Sequence, residues 1–191
     1  MTEAEYLAFE RSSEIKHEFV DGEIYAMSGA SRNHNLIAGS TYVAIYSQLR
    51  GKGCETYPSD MKVRTPSTGS YVYPDISVVC GDPQFDDEQR DVLLNPGVVI
   101  EVLSPNTEAY DRGKKFARYR EIESLQEYIL ISQDQPHIER FVRQADGMWQ
   151  FSDVRGLEGS VTLASVGCQL ALQAVYEQVT FESDQDDPPS E

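Results

Sequence analysis

The sequence predicts a mixed α/β (α+β) fold, a central mixed sheet with helices on its faces. Three observations predict it. The runs PDISVVC and VVIEVL are rich in β-branched residues, and VVIEVL lacks clean alternation, which suits a central strand buried on both faces. Residues 33–49 and 109–121 read as helices. After residue 125, strand-forming runs return around short polar turns. The resulting order is helix, hairpin, helix, strands, helix, strands, with no internal repeat.

Each element has a local reason. Residues 2–10 predict a short acidic helix. KHEFVDGEIYAM predicts a hairpin, since Asp21-Gly22 supplies the positive φ angles of a tight turn between strand formers. The helix over 33–49 has Ser31 as its cap and Gly51 as its stop. Leu36, Ile37, Ser40, Val43 and Ala44 form its expected inward stripe. Residues 54–65 predict one strand ending at Pro66, and TPSTGSY a turn. Val72–Cys80 predicts a strand interrupted early by Pro74. GDPQFDDEQRD, with five acids against one arginine, predicts an exposed loop. LQEYILIS and HIERFVR predict strands joined through QDQP, and GMWQFSD and GSVTL complete the sheet. Val175, Tyr176 and Val179 suggest a last helical turn. One domain is expected over 1–181, followed by a flexible acidic tail, 182–191.

The chain has 191 residues, 40% of them hydrophobic and 25% charged, which suits a soluble domain with its own core. A net charge of −16 argues against a general nucleic-acid coat, because such binding rests on neutralising phosphates. It leaves room for a small local basic site. Three cysteines, Cys54, Cys80 and Cys168, in no C-x-x-C spacing predict reduced thiols, with Cys80 buried. No apolar run has signal-peptide or membrane-span length, so a cytoplasmic protein without membrane contact is expected.

Two acids stand out. Asp75 follows a proline and precedes an apolar strand, and Glu101 lies inside another. Strand parity puts Val99, Glu101 and Leu103 on one face, and Asp75, Ser77 and Val79 on one face of theirs. A lone buried carboxylate is expensive, so each acid must meet solvent, a metal or a basic side chain. In the helix after Glu101, Asp111, Lys115 and Tyr119 recur at i, i+4 and i+8 and form a strip beside Phe116, the expected anchor on the sheet. That strip can carry Lys115 to Glu101. Two acids and a lysine around a divalent ion suit phosphodiester hydrolysis. The same residues also fit a turn acid, a solvated i,i+4 pair and a structural ion pair. Lys62 and Arg64 alternate in a strand and could face phosphate or simply form a polar face.

The motifs PDISVV, VIEVLSPNTEAYDRGKKFARY and LQEYILISQDQP, with the opening HEFVDGEIYAMSGASRNHNLI, resemble a restriction endonuclease family of the PD-(D/E)XK nuclease superfamily. The family is abundant in cyanobacteria and was long catalogued as a domain of unknown function. The resemblance spans roughly residues 5–180. It implies a PD-(D/E)XK core and a Mg²⁺-dependent DNA endonuclease, with Mn²⁺ as a substitute ion. Asp75 and Glu101 match the metal-binding acids. Lys115 matches the catalytic lysine, since the usual position two residues after the second acid is Leu103 here. Glu18 matches a recurrent acid that is a further ligand or an orienting group, and His34 a recurrent histidine. Cutting both strands implies a homodimer. The alternative is a non-catalytic binding or assembly module that keeps the fold, motivated by the acidity of the chain.

Overall fold

Helix α1 (Glu3–Glu10) opens the computed structural model, which describes residues 1–66 and 69–181. Thr2 and Glu5 cap it reciprocally in a capping box. Strands β1 (His17–Val20) and β2 (Glu23–Ala26) follow as the predicted hairpin, with Asp21 at φ 53° and Gly22 at φ 85° in the turn. Helix α2 (Arg32–Leu49) is capped by the Ser31 hydroxyl, which accepts from the His34 amide.

The sheet region divides in a way the sequence does not announce. β3 (Cys54–Pro58) and β4 (Lys62–Thr65) replace the single strand expected over 54–65. β5 (Ser70–Val72) and β6 (Ile76–Cys80) flank the Tyr73-Pro74-Asp75 break. β7 (Val92–Leu93) and β8 (Val98–Val102) come next. One sheet has five strands in the order β2-β1-β5-β4-β7. After β9 (Glu127–Ile131), β10 (His137–Arg143) and β11 (Trp149–Arg155), the second has six, in the order β11-β10-β9-β8-β6-β3. Both are mixed, with β4–β7 and β8–β9 the parallel pairs. β3 and β4 therefore belong to different sheets, as do β5 and β6. The breaks at Ser59-Asp60 and at Pro74, which lacks an N–H, let the chain change sheet.

Helix α3 (Glu108–Tyr110), a π-helical turn (Asp111–Lys115) and α4 (Phe116–Tyr119) together occupy the span predicted as one α-helix. Phe116 does anchor this segment. It stacks on Tyr128 with ring centroids 4.7 Å apart and packs against Phe141 and Trp149. Among the described residues β12 (Ser160–Leu163) pairs only with β13 (Cys168–Ala171) instead of completing the large sheet, and α5 (Leu172–Val175) is the last helical turn. The predicted tail, 182–191, lies outside the described residues.

The six-stranded sheet is covered on both faces. One face packs Val98, Ile100, Ile129 and Ile131 against α2, α5 and the β12–β13 pair. The other packs Val99, Leu103, Tyr128 and Leu130 against Phe116 and Tyr119. α1 packs Tyr6 and Leu7 on Phe19, Tyr71 and Val92 of the smaller sheet. On α2 the inward stripe is Ile37, Thr41, Ile45 and Leu49, turned by about one position from the expected one. Val43 is 61% exposed. The polarity of Thr41 hid this: it is fully buried, and its hydroxyl has no partner among the described residues.

Two further expectations are corrected. Cys54 and Cys80 face each other across β3 and β6 and are disulfide-bonded, Cys80 is exposed, and only Cys168 is a free, buried thiol. The 82–91 loop is largely exposed, as expected, and is also tied down despite its acidity: Asp87 and Asp91 bind Arg11, Asp91 also binds Lys62, and Asp86 accepts from Tyr71. No helix among the described residues is long and apolar enough to cross a membrane.

Candidate active site

Five stretches of backbone bring the candidate side chains together: β1, α2, the β5–β6 link, β8 and the helical segment after it. Glu101 lies on β8 among Val99 and Leu103, as strand parity requires, and is 3% exposed. Its Oε1 accepts from the Tyr119 hydroxyl at 2.9 Å and lies 2.9 Å from Lys115 Nζ. Glu18 reaches the same ammonium from β1, at 3.2 Å. Asp111 stands 3.8 Å from it. Lys115 also donates to the Tyr73 carbonyl at 3.4 Å. The helical strip of Asp111, Lys115 and Tyr119 is therefore buried over Glu101. It is wound into a π turn, and the Tyr128 hydroxyl donates to the Asp111 carbonyl within it at 3.0 Å. Such wide turns recur at functional sites.

Asp75 follows the proline at the point where the chain leaves one sheet for the other. Its Oδ2 accepts from the Val102 amide at 2.7 Å and stands 3.3 Å from His34 Nε2. Asp75 and Glu101 are thus linked through neighbouring backbone and make no direct bond. Tyr73, which sequence reasoning passed over, contributes only its peptide: the N–H donates to Glu18 at 3.1 Å and the carbonyl takes Lys115. The following proline was the available signal, since it biases Tyr73 away from helical backbone and so leaves its peptide groups free for partners outside a helix.

Electrostatics follow from burial. Desolvation raises Glu101 well above the usual carboxylate range, Lys115 opposes it, and the charges of Asp111 and Asp75 add to it. Burial also raises Asp111, against Lys115. For Lys115, burial opposes the charge, yet Glu101 and Glu18 outweigh it and lift the ammonium well above its ordinary value. The two shifts pull against each other, because a protonated Glu101 would leave Lys115 less well partnered. The 2.9 Å contact and the Tyr119 hydroxyl favour the ionised pair. Burial lowers His34, and the hydrogen bond to Asp75, the charges of Asp75 and Asp111 and the Val102 backbone together more than reverse this.

These groups line a cleft of about 1260 Å³. One wall is the β1–β2 hairpin and residues 27–31, and the other is the 104–107 connection and the helical segment through Arg118. Asp75, Glu101, Lys115, Glu18 and His34 all border it. Lys62 and Arg64 do not. They pair with Asp91 and Glu3, which decides between their two readings in favour of the structural one.

A divalent ion suits the chemistry of this donor set. Four carboxylates, Glu18, Asp75, Glu101 and Asp111, face one lysine and one histidine, and the neighbouring carboxylate charge adds to the burial that raises Glu101 and Asp111. Among the described residues no three His, Cys, Asp or Glu side chains form a ready-made cage for a metal. Mg²⁺ does not require one, since it is commonly held by one or two carboxylates together with water and substrate phosphate.

The model of the Uma2 family, described as "Putative restriction endonuclease", matches residues 3–173. The chain belongs to this family. Among its relatives is slr1290 of Synechocystis sp. PCC 6803, 38% identical over 177 residues, covering 93% of this chain and 92% of that protein. Another is sll1609 of the same organism, 35% identical over 156 residues, covering 82% and 88%. Both are described as uncharacterised. The crystal structure of "a putative nuclease belonging to DUF820" from Anabaena variabilis superposes with a TM-score of 0.77 at 18% identity, covering 94% of this chain and 99% of that one. The shared Uma2 fold is a mixed α/β architecture with a PD-(D/E)XK-like core.

Proposed function

We propose that this cleft is the active site of a Mg²⁺-dependent DNA endonuclease. The observation that carries the reading is the buried ammonium of Lys115 held between Glu101 and Glu18, beside Asp75, at the wall of an open cleft. Asp75 and Glu101 would hold the ion, with Mn²⁺ as a substitute. When bound, the ion supplies Lewis-acid polarisation of a phosphate and a more acidic water.

The protein's own groups have separable tasks. Lys115 presents a fixed positive charge where negative charge grows on the phosphoryl oxygens. Glu18, through Lys115 and the Tyr73 amide, keeps that ammonium aimed. Tyr119 holds one oxygen of Glu101, and His34 with the Val102 amide orients Asp75. Double-strand cleavage requires two such sites, so the active form in this reading is a homodimer.

Plasmid nicking in Mg²⁺ tests it: wild type nicks, while Asp75→Ala and Lys115→Ala lose at least about a hundredfold in rate. Equal activity in all three proteins removes the assignment.

A second reading has its own support. The net charge is −16, and three of the cleft's cations already face carboxylates: Lys16 with Asp60, Lys115 with Glu101 and Arg118 with Asp21. A non-catalytic binding or assembly module would bear such a surface. Mn²⁺ titration by calorimetry separates the two, because heat that disappears in Asp75→Ala belongs to the nuclease reading.

A further inference from the structure

The Arg118–Asp21 ion pair straddles the cleft mouth, and its two ends are unequal. Nη2 of Arg118, on α4, lies 2.6 Å from Asp21 Oδ2 at the tip of the β1–β2 turn. The arginine side chain is only 11% exposed, while the aspartate is 62% exposed. Nη1 donates to the Lys114 carbonyl at 3.2 Å, which fixes the plane of the guanidinium. Nε is buried and has no acceptor among the described residues. The Nε–Nη2 edge, the side of the fork that grips two oxygens at once, is therefore half used. Lys114 lies four positions earlier on the same segment, is exposed, and makes no ion pair among the described residues. Lys114, Arg118 and Asp21 all line the cleft that holds Glu101 and Lys115.

We propose that Arg118 and Lys114 form a phosphate-contact site on the cleft wall, and that Asp21 stands in for the phosphate while the cleft is empty of nucleic acid. The inference rests on the nucleic-acid substrate proposed above and adds the contacts that would hold it. A phosphodiester offers two oxygens to the Nε–Nη2 edge where Asp21 engages only Nη2, and Lys114 adds a second charge beside it. Asp21 leaves at little cost, being exposed and on a turn, whereas Arg118 stays in place. For a chain of net charge −16, an internal carboxylate on the main phosphate contact keeps nucleic-acid affinity low.

Fluorescence anisotropy with a short fluorescein-labelled DNA duplex tests this, without divalent metal so that no cutting intervenes. Asp21→Asn removes the charge and keeps a residue suited to the positive φ. It should tighten binding about threefold to fivefold, the range that one partly exposed ion pair spans. Arg118→Gln should weaken binding and reduce the salt slope by about one. Asp21→Asn in the Arg118→Gln background should gain nothing. Equal gains in both backgrounds, or no gain in either, overturn the proposal and leave the pair as a structural latch. If Arg118→Gln melts early, Arg118→Met replaces it, since it keeps the packing of the stem and removes the charge. Cleavage that depends on Asp75 but shows no Asp21 effect overturns the phosphate site alone. Absent cleavage with the cycle intact overturns the nuclease reading alone.

Discussion

The Lys115 ammonium lies 2.9 Å from the Glu101 carboxylate, with both side chains buried. Removing one partner strands the other charge away from water. Glu101→Gln and Lys115→Met should each destabilise the fold by about 3–5 kcal/mol. The double variant should lose clearly less than the two single losses combined, because neither charge is left alone. Urea denaturation measures this, and strictly additive losses would contradict a direct buried pair.

Arg11 clasps the acidic loop through Asp87 and Asp91. Its hydrogen bond to Asp91 lowers that carboxyl to about 2 against the opposing effect of burial, with Lys62 helping, from an ordinary 3.8. A carboxyl lowered on folding stabilises the protein above its unfolded value, and that contribution disappears as pH falls through the folded value. The Arg11→Ala variant should therefore lose about 1 kcal/mol near neutrality, a modest figure because the pair is partly exposed. The difference from wild type should shrink between pH 4 and pH 2. A difference constant across that range counts against the clasp.

Phe116 fixes the helical segment that carries Lys115 by stacking on Tyr128 and packing against Phe141 and Trp149. Phe116→Ala should cost about 3–5 kcal/mol. Nicking should also fall in variant protein that is still fully folded at low temperature, since the segment loses its seat. Thermal melts paired with the nicking assay give both readouts, and a stability loss with unchanged rate would separate the anchor from the site.

The Cys54–Cys80 bond closes a loop of 26 residues in sequence separation and ties edge strand β3 to β6. Replacing both cysteines by serine should lower stability by about 3 kcal/mol in non-reducing buffer. With dithiothreitol present the variant and wild type should converge. A gap that persists under reduction assigns the loss to packing instead of the cross-link.

What was readable in the sequence was local. The Asp21-Gly22 hairpin, the Ser31 cap, the parity of Glu101 and the strip through Lys115 all follow from spacing within a few residues. What was hidden depends on distant partners. Ser59-Asp60 is too weak a breaker to reveal that β3 and β4 belong to different sheets. The π turn depends on packing beneath the segment, where the Tyr128 hydroxyl meets the Asp111 carbonyl. Cys54 meets Cys80 only through the β3–β6 register. Val43 points outward because α2 seats Thr41 against the sheet, a preference that side-chain polarity argues against. No local spacing ties Glu18 or His34 to the other candidates, and they lie beside Lys115 and Asp75 because the hairpin and α2 both border the cleft.

The crossing at Tyr73-Pro74-Asp75 has a consequence for the order of events in the cell. Glu18 comes from the five-stranded sheet, Glu101 from the six-stranded one, and Asp75 from the peptide between them. Lys115 emerges from the ribosome only after all three. A nascent chain that has built the first sheet carries Glu18 without its lysine. One that has built only the second lacks Glu18 and the Tyr73 peptide that steadies the lysine. The constellation exists only once both sheets have docked, so a half-made or locally unfolded molecule does not carry it.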